Sequence, residues 1–408
     1  MSHAEVTKPS DITIPANSLW AKLPMIGGAL AVVGLGATLA TGTGEHGARS
    51  MFAYLWAFEV VLALSLGAIG WVMIDHAVRS QWSIVVRRIG ETAAAVAPLF
   101  IVLFIPIATI GFHSLYPWSH ETDPVLEKKR WFLSDGFFFG RAAFYLLAWS
   151  ALGWFLHSSS VKQDKLAGDL VERNRITRTL WKVSAVGIFV WALTQSFQAI
   201  DWLMSLQPHW YSTIFGVYFF AASILAFFAF MTLVAMGLQN AGLLKHAITT
   251  EHFHDLGKLI FGFTIFWAYI AFSQFILIWY ANLPEETEFY LVRLEGGWSA
   301  VSYFLPIGHF FVPFFFLLSR HMKRRRSTLA IGCVWILLMH AMDIYWLVLP
   351  NFGGHGEHSH FAPSWVDGAA LVGMAGAFLA AFGMVLKKNS VICINEPRLE
   401  DSLVHENF

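Results

Sequence analysis

The stretch MFAYLWAFEVVLALSLGAIGWVMIDH, Met51–His76, decides the fold class of this chain. Glu59 is its only charged residue before Asp75. A run of about 20 apolar residues is long enough to cross the roughly 30 Å hydrocarbon core of a bilayer. Because no water reaches the backbone there, such a run must satisfy its own hydrogen bonds as an α-helix. Residues 51–76 are therefore predicted to form a membrane-spanning helix.

Apolar runs of similar length recur along the whole chain. The sequence is 56% hydrophobic and only 13% charged, whereas a soluble domain is roughly one quarter charged. We predict an all-α polytopic membrane protein with about ten spans, over residues 23–41, 51–76, 91–112, 135–157, 180–203, 212–238, 257–281, 298–319, 327–349 and 366–386. Prolines inside the spans predict kinks in the third (Pro98 and Pro106) and the eighth (Pro306 and Pro313).

The distribution of Lys and Arg between the loops predicts the orientation. With the N-terminus inside, 21 of these residues lie in inner segments and five in outer ones. We therefore expect a cytoplasmic N-terminal segment (1–22), a membrane domain (23–386) and a cytoplasmic C-terminal tail (387–408), with no cleaved signal peptide. The long inner loop 158–179 is expected to contain a short surface helix. The outer loop 282–297 is acidic.

The sequence lacks the motifs of common cofactor sites. It has two cysteines, Cys333 and Cys393, no haem-attachment motif and no nucleotide-binding loop. Its zero net charge predicts no nucleic-acid partner. We therefore expect no redox centre and no metal in this chain, so that any electron-transfer role would depend on partner subunits.

Ionisable groups within the spans are the candidate functional residues, because each costs roughly 2.5–3.5 kcal/mol to insert into a bilayer. Glu59 lies about 12 Å into its span, too deep to reach either surface easily. It is predicted to handle protons or to bind a ligand. Gln198 and Asp201 are three residues apart and share a helix face. They are predicted to line a polar path, with interhelical hydrogen bonding as the alternative.

Two charged residues open the fourth span. Asp135 and Arg141 are six residues apart, so they do not share a helix face and are expected to meet different partners. Arg141 lies about two turns deep and is expected to pair with a carboxylate, either Glu59 or Asp201. Such a pair is compatible with a purely structural role.

Two histidines lie near the middle of the eighth and ninth spans. His309 and His340 suit a proton relay, because imidazole titrates near physiological pH. Asp343 follows His340 by three residues and is expected to orient its ring. Ligation of a b-type haem and hydrogen-bonded core histidines are the alternatives.

The loop after the ninth span is rich in Gly and His. His355, His358 and His360, together with Glu357, have spacings compatible with a metal site. A solvated docking loop is the favoured interpretation.

The ionisable and polar residues within the spans together form a predicted proton path. No catalytic residue is predicted. Asp75 and His76 end the second span, where a solvated helix end is the favoured interpretation and a place in the path is the alternative. The outer half is predicted to comprise Glu59, Asp201, His340 and Asp343, and the inner half Asp75, His76 and His309. The whole predicted path is Glu59, Asp75, His76, Asp135, Arg141, Gln198, Asp201, His309, His340 and Asp343.

Two stretches resemble a known family. DWLMSLQPHWYSTIFGVY (201–218) and FWAYIAFSQFILIWYANLPEETEFY (266–290) are similar to the NrfD/PsrC-like membrane subunits of bacterial alternative complex III. They fit best the smaller of its two such subunits, the ActF type or quinone-binding subunit 2. The matching motifs contain Asp201, His209, Gln274, Glu285 and Glu286.

The resemblance implies a place in a quinol:cytochrome c oxidoreductase of the bacterial inner membrane. It implies two four-helix bundles, spans 2–5 and 6–9, flanked by spans 1 and 10, which contribute proton half-channels and a scaffold. The implied partners are an ActC-like sister subunit, an iron–sulfur subunit, multihaem and monohaem cytochrome c subunits and membrane lipid. Iron–sulfur clusters and c-type haems would lie in those partners. A menaquinone or other quinone site in this chain stays open, as do the alternatives of a secondary transporter, a b-haem protein and a structural anchor.

Overall fold

The computed structural model describes residues 8–42, 47–121, 123–352 and 360–406. Within these ranges the regular secondary structure is entirely helical, and ten helices are long and apolar enough to cross a membrane. The predicted all-α polytopic fold is thereby confirmed. The ten membrane helices are α1 Leu19–Ala40, α2 Gly47–Ala77, α3 Ile84–Leu115, α4 Asp135–Asp164, α5 Leu170–Leu206, α6 Phe215–Asn240, α7 Thr250–Ala281, α8 Trp298–Leu318, α9 Arg326–Asn351 and α10 Trp365–Leu386.

The helices are arranged as two four-helix bundles joined along α2 and α6. Helix α2 packs against α3 and α5, and α4 closes the first bundle by contacting both of these. Helix α6 packs against α7 and α9, with α8 between those two in the second bundle. Almost every residue of α2 and α6 is buried, because each of these helices faces both bundles.

Helices α1 and α10 pair with each other and lie against α2. Their backbones touch at glycines, since a Cβ added to Gly34 would lie 2.5 Å from the carbonyl oxygen of Ala369. A Cβ on Gly27 would similarly lie 2.6 Å from the carbonyl oxygen of Gly376. Small residues permit this close approach of membrane helices, where van der Waals packing replaces the hydrophobic effect.

Three membrane helices contain irregular segments. Helix α3 is interrupted at 95–98 and becomes a π-helix at Ile107–Gly111, and α8 is a π-helix over Pro306–Phe311. These irregularities follow prolines, as the sequence predicts. Helix α5 also has a π-helical segment, Ala199–Leu203, and no proline lies in it or directly before it. Such segments are frequent at functional sites, and two of these three contain a candidate residue.

Two loops differ from the sequence prediction. The expected surface helix in 158–179 does not exist as a separate element, because α4 continues to Asp164 and α5 already begins at Leu170. The acidic segment 282–297 contains a helix, Pro284–Val292. The remaining short helices are Pro9–Ile12, Pro117–Ser119, Pro124–Lys129, Arg320–Arg324 and Leu399–Leu403.

The described parts of the N-terminal segment and of the C-terminal segment pack at one end of the bundles, which we call the terminal end. The opposite end is the far end. The amide of Val391 donates to the carbonyl oxygen of Ile12 at 2.9 Å, and Ser402 Oγ donates to the carbonyl oxygen of Trp82 at 2.7 Å. Cys393 is completely buried. Residues 387–406, the tail, therefore form part of the folded core. Its cytoplasmic location stays a prediction.

Candidate functional site

Glu59 lies in the centre of the first bundle and is completely buried. Gln198 Nε2 on α5 lies 2.9 Å from each of its carboxyl oxygens. No cation contacts Glu59 within the part of the chain that the structure describes. Among the described residues its one side-chain hydrogen-bond partner is thus a neutral amide donor, so a charge on this carboxyl group would be uncompensated.

Asp201 is also a buried carboxyl group, but unlike Glu59 it is paired with a cation. Arg141 Nε and Nη2 donate to its two carboxyl oxygens, each at 2.8 Å, and Tyr145 Oη donates at 2.8 Å. Asp201 is therefore the partner of Arg141, and the alternative partner, Glu59, is not. The bidentate geometry is the strongest form of such a pair.

Gln198 and Asp201 were expected to share one polar face, yet they meet different partners. The π-helical segment Ala199–Leu203 begins directly after Gln198 and adds a residue to the turn. Nearby, Tyr116 is completely buried, and its hydroxyl donates to the carbonyl oxygen of Trp202 at 3.2 Å. Burial raises the pKa of the Tyr116 hydroxyl well above its usual value, and the carboxyls of Glu59 and Asp201 raise it further.

Asp343 occupies the equivalent central position in the second bundle. Trp267 Nε1 donates to its Oδ2 at 3.0 Å, and the hydroxyl of Tyr218 donates to its Oδ1. Asp343 is completely buried, and among the described residues no cation contacts it. Like Glu59, it is a carboxyl group held only by neutral donors.

The two mid-membrane histidines lie close to this carboxyl group. The ring of His309 lies on the ring of Trp267, with centroids 3.9 Å apart. Both of its nitrogens are buried and have no hydrogen-bond partner among the described residues. The predicted orientation of His340 by Asp343 is wrong, because His340 Nε2 lies 3.3 Å from the carbonyl oxygen of Val60 instead.

His340 links the two bundles. Val60 follows Glu59 directly on α2, so the ring of His340 reaches the backbone beside the carboxyl group of the first bundle. Trp56 Nε1 reinforces the contact by donating to the carbonyl oxygen of Ala341 at 2.8 Å. Separate groups of polar side chains thus lie around Asp201, around Glu59 and His340, and around Asp343, and we call this set the central polar chain. It comprises Arg141, Tyr145, Gln198, Asp201, Glu59, His340, His309, Trp267, Asp343 and Tyr218.

Asp75 and His76 lie at the terminal end, apart from the central polar chain. Glu59 and Asp75 are separated on α2 by about 24 Å along the helix axis. The expectation of a solvated helix end is wrong, because Asp75 and His76 are only 3% and 2% exposed. His309 belongs to the central polar chain and not with these two residues, so its assignment to their half of the path is also wrong.

A buried cluster of charges surrounds Asp75. Arg87 lies 3.6 Å from Asp75, 3.3 Å from Glu91 and 2.8 Å from Glu396 of the tail. Ser83 also donates to Asp75. All of these side chains are buried, although Arg87 counted only as an orientation signal in the sequence.

Arg88 extends this cluster to α4. It lies 3.0 Å from Glu91 and 2.7 Å from Asp164. The amide of Ile394 in the tail donates to Asp164 at 2.9 Å, and the thiol of Cys393 lies 3.8 Å from both carboxyl oxygens of Glu91. The tail thus covers the cluster and supplies part of it.

The titration of two tail residues reflects this burial. Burial alone would raise the pKa of Glu396, but Arg87 and Arg398 outweigh it and hold the pKa below its usual value. Burial raises the pKa of the Cys393 thiol to about 11, and Glu91 contributes to the rise. Near neutral pH the cluster therefore contains a carboxylate at 396 and a neutral thiol at 393.

Asp135 lies outside both groups. It is exposed at the start of α4 and lines a far-end cavity of about 310 Å³ together with Asp123 and Glu127. It therefore has no contact with the central polar chain. As the sequence predicts, Asp135 and Arg141 have different surroundings.

Arg293 is a buried cation that sequence reasoning missed, because it was taken for a loop residue. Its guanidinium donates to the carbonyl oxygens of Trp346 at 3.0 Å, Leu347 at 2.9 Å and Phe289 at 2.7 Å. These bonds satisfy carbonyl groups near the end of α9 and attach the acidic helix to it. Its role is therefore in holding the far end together.

Part of the His-rich loop lies outside the described residues, including His355, Glu357 and His358. His360 is described and is exposed. In the described ranges no three His, Cys, Asp or Glu side chains are grouped as a metal site would require.

Sequence reasoning also missed the residues that bond the buried carboxyl groups and arginines. Tyr145, Tyr218 and Trp267 read as ordinary aromatic residues of a span, so nothing in their type marked them. Glu91 carried a signal, since it follows Arg87 and Arg88 by four and three residues at the start of a predicted span.

The two stretches that carry the family resemblance meet in space. Tyr218 from the first and Trp267 from the second both donate to Asp343, and Ser212 Oγ donates to Gln274 Oε1 at 3.0 Å. No family model matches this chain, and no curated protein matches it either. The resemblance therefore rests on these residues alone.

Proposed function

We propose that this integral membrane protein is a proton-handling subunit of a quinol:electron-acceptor oxidoreductase of the alternative complex III type. The observation that carries the proposal is the pair of membrane-buried carboxyl groups, Glu59 and Asp343, each held by neutral donors. A structural carboxylate in a bilayer is normally compensated by a cation, as Asp201 is by Arg141. A carboxyl group without such a partner is suited to binding and releasing a proton.

The surroundings of these groups support proton transfer between the bundles. His340 contacts the backbone next to Glu59, and His309 stacks on the indole that bonds Asp343. Imidazole both donates and accepts protons, so it suits the space between two carboxyl groups. The Arg141–Asp201 pair is proposed to form the far-end part of this path. The exposed Asp135 is proposed to lie where the path reaches the protein surface.

The proposed path has two parts that do not touch. The central polar chain forms the far-end part, and Asp75 and His76 form the terminal-end part. About 24 Å of α2 separates Glu59 from Asp75. Protons would need water molecules to pass between them, which is why two half-channels are proposed and not one continuous wire.

The electron-transfer centres are proposed to lie in partner subunits, since both cysteines of this chain are buried and far apart in sequence. The partners are proposed to be an ActC-like sister subunit, an iron–sulfur subunit and multihaem and monohaem cytochromes c. The bacterial inner membrane with cytoplasmic termini is the proposed location. Quinone binding is proposed for the complex as a whole and is not assigned to a site in this chain.

A secondary transporter is the second candidate, favoured by the irregular backbone of α3 and α8 in the membrane. Purification from native membranes separates the two candidates. A subunit would be isolated together with haem-containing and iron–sulfur proteins, whereas a transporter would be isolated alone.

The proton-handling role is tested by Glu59→Gln in the assembled complex. Glutamine keeps the hydrogen bond with Gln198 but cannot release a proton. We expect proton uptake or release per quinol to fall, while electron transfer to the acceptor continues. Glu285→Gln, which changes an exposed carboxylate of the acidic helix, is the matched control. Unchanged proton stoichiometry in Glu59→Gln would refute the role of Glu59.

A further inference from the structure

A cavity of about 200 Å³ opens at the terminal end between α2, α5 and the tail. Three arginines line it: Arg79 after α2, Arg178 on α5 and Arg398 in the tail. None of its lining residues is acidic, and Asn174 and Thr177 add neutral polar groups. The cavity therefore has the charge and the donors that suit an anion.

Two of the arginines, Arg79 and Arg398, are held in place by contacts that leave some of their N–H donors free for a ligand. The guanidinium of Arg79 lies 4.4 Å from the centroid of the Trp181 ring. Arg398 Nη1 donates to the carbonyl oxygen of Arg79 at 2.9 Å, and its Nε donates to Glu396 at 3.1 Å. Glu396 is shared with the buried Arg87, so it does not neutralise Arg398 alone.

His76 provides an independent indication of a ligand. It lines the same cavity, is 2% exposed, and its Nε2 is buried without a hydrogen-bond partner among the described residues. An unsatisfied buried polar atom costs roughly 1–3 kcal/mol, so such atoms normally have a partner. A neutral imidazole can carry its proton on Nε2, which lets it donate to an anion without being charged.

The cavity lies beside the last residue of α2, where this helix ends and the membrane boundary is expected. Trp181 Nε1 donates to the carbonyl oxygen of Ala77 at 3.2 Å, at the last residue of α2. Tryptophan is enriched at this boundary, and basic pockets between helices at the same depth bind lipid headgroups. A ligand here could therefore come from the bilayer or from the aqueous phase.

We propose that this cavity binds a phosphate group, with Arg79, Arg178 and Arg398 around its oxygens and His76 Nε2 as a further donor. Guanidinium groups match the geometry of phosphate oxygens and form charge-assisted hydrogen bonds with them. The phosphate belongs either to an anionic phospholipid or to a soluble ion. The site shares His76 with the terminal-end part of the proposed proton path and shares no residue with the central polar chain.

The test uses the purified full chain after delipidation, with two probes. Dioleoylphosphatidylglycerol binding is measured by native mass spectrometry, and inorganic phosphate binding by calorimetry. The double variant Arg79→Gln/Arg178→Gln removes two exposed arginines of the cavity. Lys162→Gln/Arg175→Gln is the control, because it removes two exposed cations of the same end that do not line the cavity. Melting temperatures establish that all variants are folded.

We expect the double variant to lose about 100-fold in affinity, or about tenfold for each charge-assisted contact. The control should stay within about twofold of the wild type. Loss of phosphatidylglycerol binding in the double variant identifies a lipid site, whereas the same loss for inorganic phosphate alone identifies a site for the soluble ion. The proposal is overturned if neither probe binds the wild type, or if the double variant binds both as tightly as the wild type.

Discussion

Trp267 joins two candidate groups, since its Nε1 donates to Asp343 at 3.0 Å while its ring lies 3.9 Å from that of His309. One indole thus positions a carboxyl group and an imidazole in the centre of the second bundle. The two groups differ in what they lack: Asp343 lacks a cation, and His309 lacks any hydrogen-bond partner among the described residues. The substitution of this tryptophan is therefore informative.

Trp267→Phe keeps an aromatic ring beside His309 but removes the hydrogen bond to Asp343. We expect a loss of about 1–3 kcal/mol in stability, because a buried acceptor loses one of its donors. The infrared carbonyl band of the protonated Asp343 side chain should also shift, and Asp343→Asn identifies that band. Trp279→Phe, at an exposed site on the same helix, should change neither measurement. An unshifted band in Trp267→Phe would contradict the assigned contact.

The Arg141–Asp201 pair is expected to behave as one unit. Asp201→Asn leaves a largely buried guanidinium without its counterion and should cost about 3–5 kcal/mol. Arg141→Gln should cost a similar amount, because it leaves the completely buried Asp201 uncompensated. The combined variant should recover part of this loss, as measured by melting temperature in a double-mutant cycle. Additive losses would show that the two residues do not interact in solution.

The close approach of α1 and α10 predicts opposite outcomes for two neighbouring glycines. Gly34→Ala places a methyl group within contact distance of the backbone of α10 and should cost about 1–3 kcal/mol. Gly36→Ala meets no atom within 4 Å and should be neutral or slightly stabilising. The stabilities of the two variants are compared by thermal unfolding in the same detergent. Equal effects would mean that these helices do not touch at Gly34.

The packing of the tail is expected to weaken at acid pH and again at alkaline pH, and we call these two parts of the profile the acid limb and the alkaline limb. The pKa of Glu396 is lowered on folding, so its contribution is present above about 4.3, the unfolded value, and is lost as the pH falls through the lower folded value. The pKa of Cys393 is raised to about 11, so its contribution is present below about 8.5 and is lost as the pH rises through 11. Tail packing should therefore be strongest between about pH 4.3 and 8.5.

Hydrogen-exchange protection factors of the Val391 and Ile394 amides measure this profile, because both amides are hydrogen-bonded in the packed tail. Glu396→Gln should weaken the acid limb and leave the alkaline limb in place. Glu400→Gln, which changes an exposed carboxylate of the tail, should leave both limbs unchanged. Protection that does not vary between about pH 3 and 11 would contradict the prediction.

The burial of an ionisable side chain in the middle of a span was predictable from sequence, but its partner often was not. Glu59 and Asp343 are buried where the spans place them, because position along a helix determines depth. The orientation of His340 by Asp343 was predicted from spacing and is wrong, since another helix offers each residue a closer partner. Local spacing shows which contacts are geometrically allowed, and packing selects among them.

The terminal end shows the same limit for charged residues. Arg87 was interpreted as a loop cation that marks orientation, and Asp75 as a solvated helix end. Both are buried because the tail folds back over them and brings Glu396 to Arg87. A contact across 309 residues leaves no periodic signal in one sequence.

The sequence by itself determined that the chain is helical, that about ten of its segments are long and apolar enough to cross a membrane, and that ionisable groups lie inside these segments. These properties follow from chain length and hydropathy, because a bilayer allows an apolar segment only as a helix. Tertiary structure alone decided which buried groups are compensated. Asp201 has an arginine, whereas the donors to Glu59 and Asp343 from the described residues are all neutral. That difference depends on which helices lie side by side, and local sequence does not encode it.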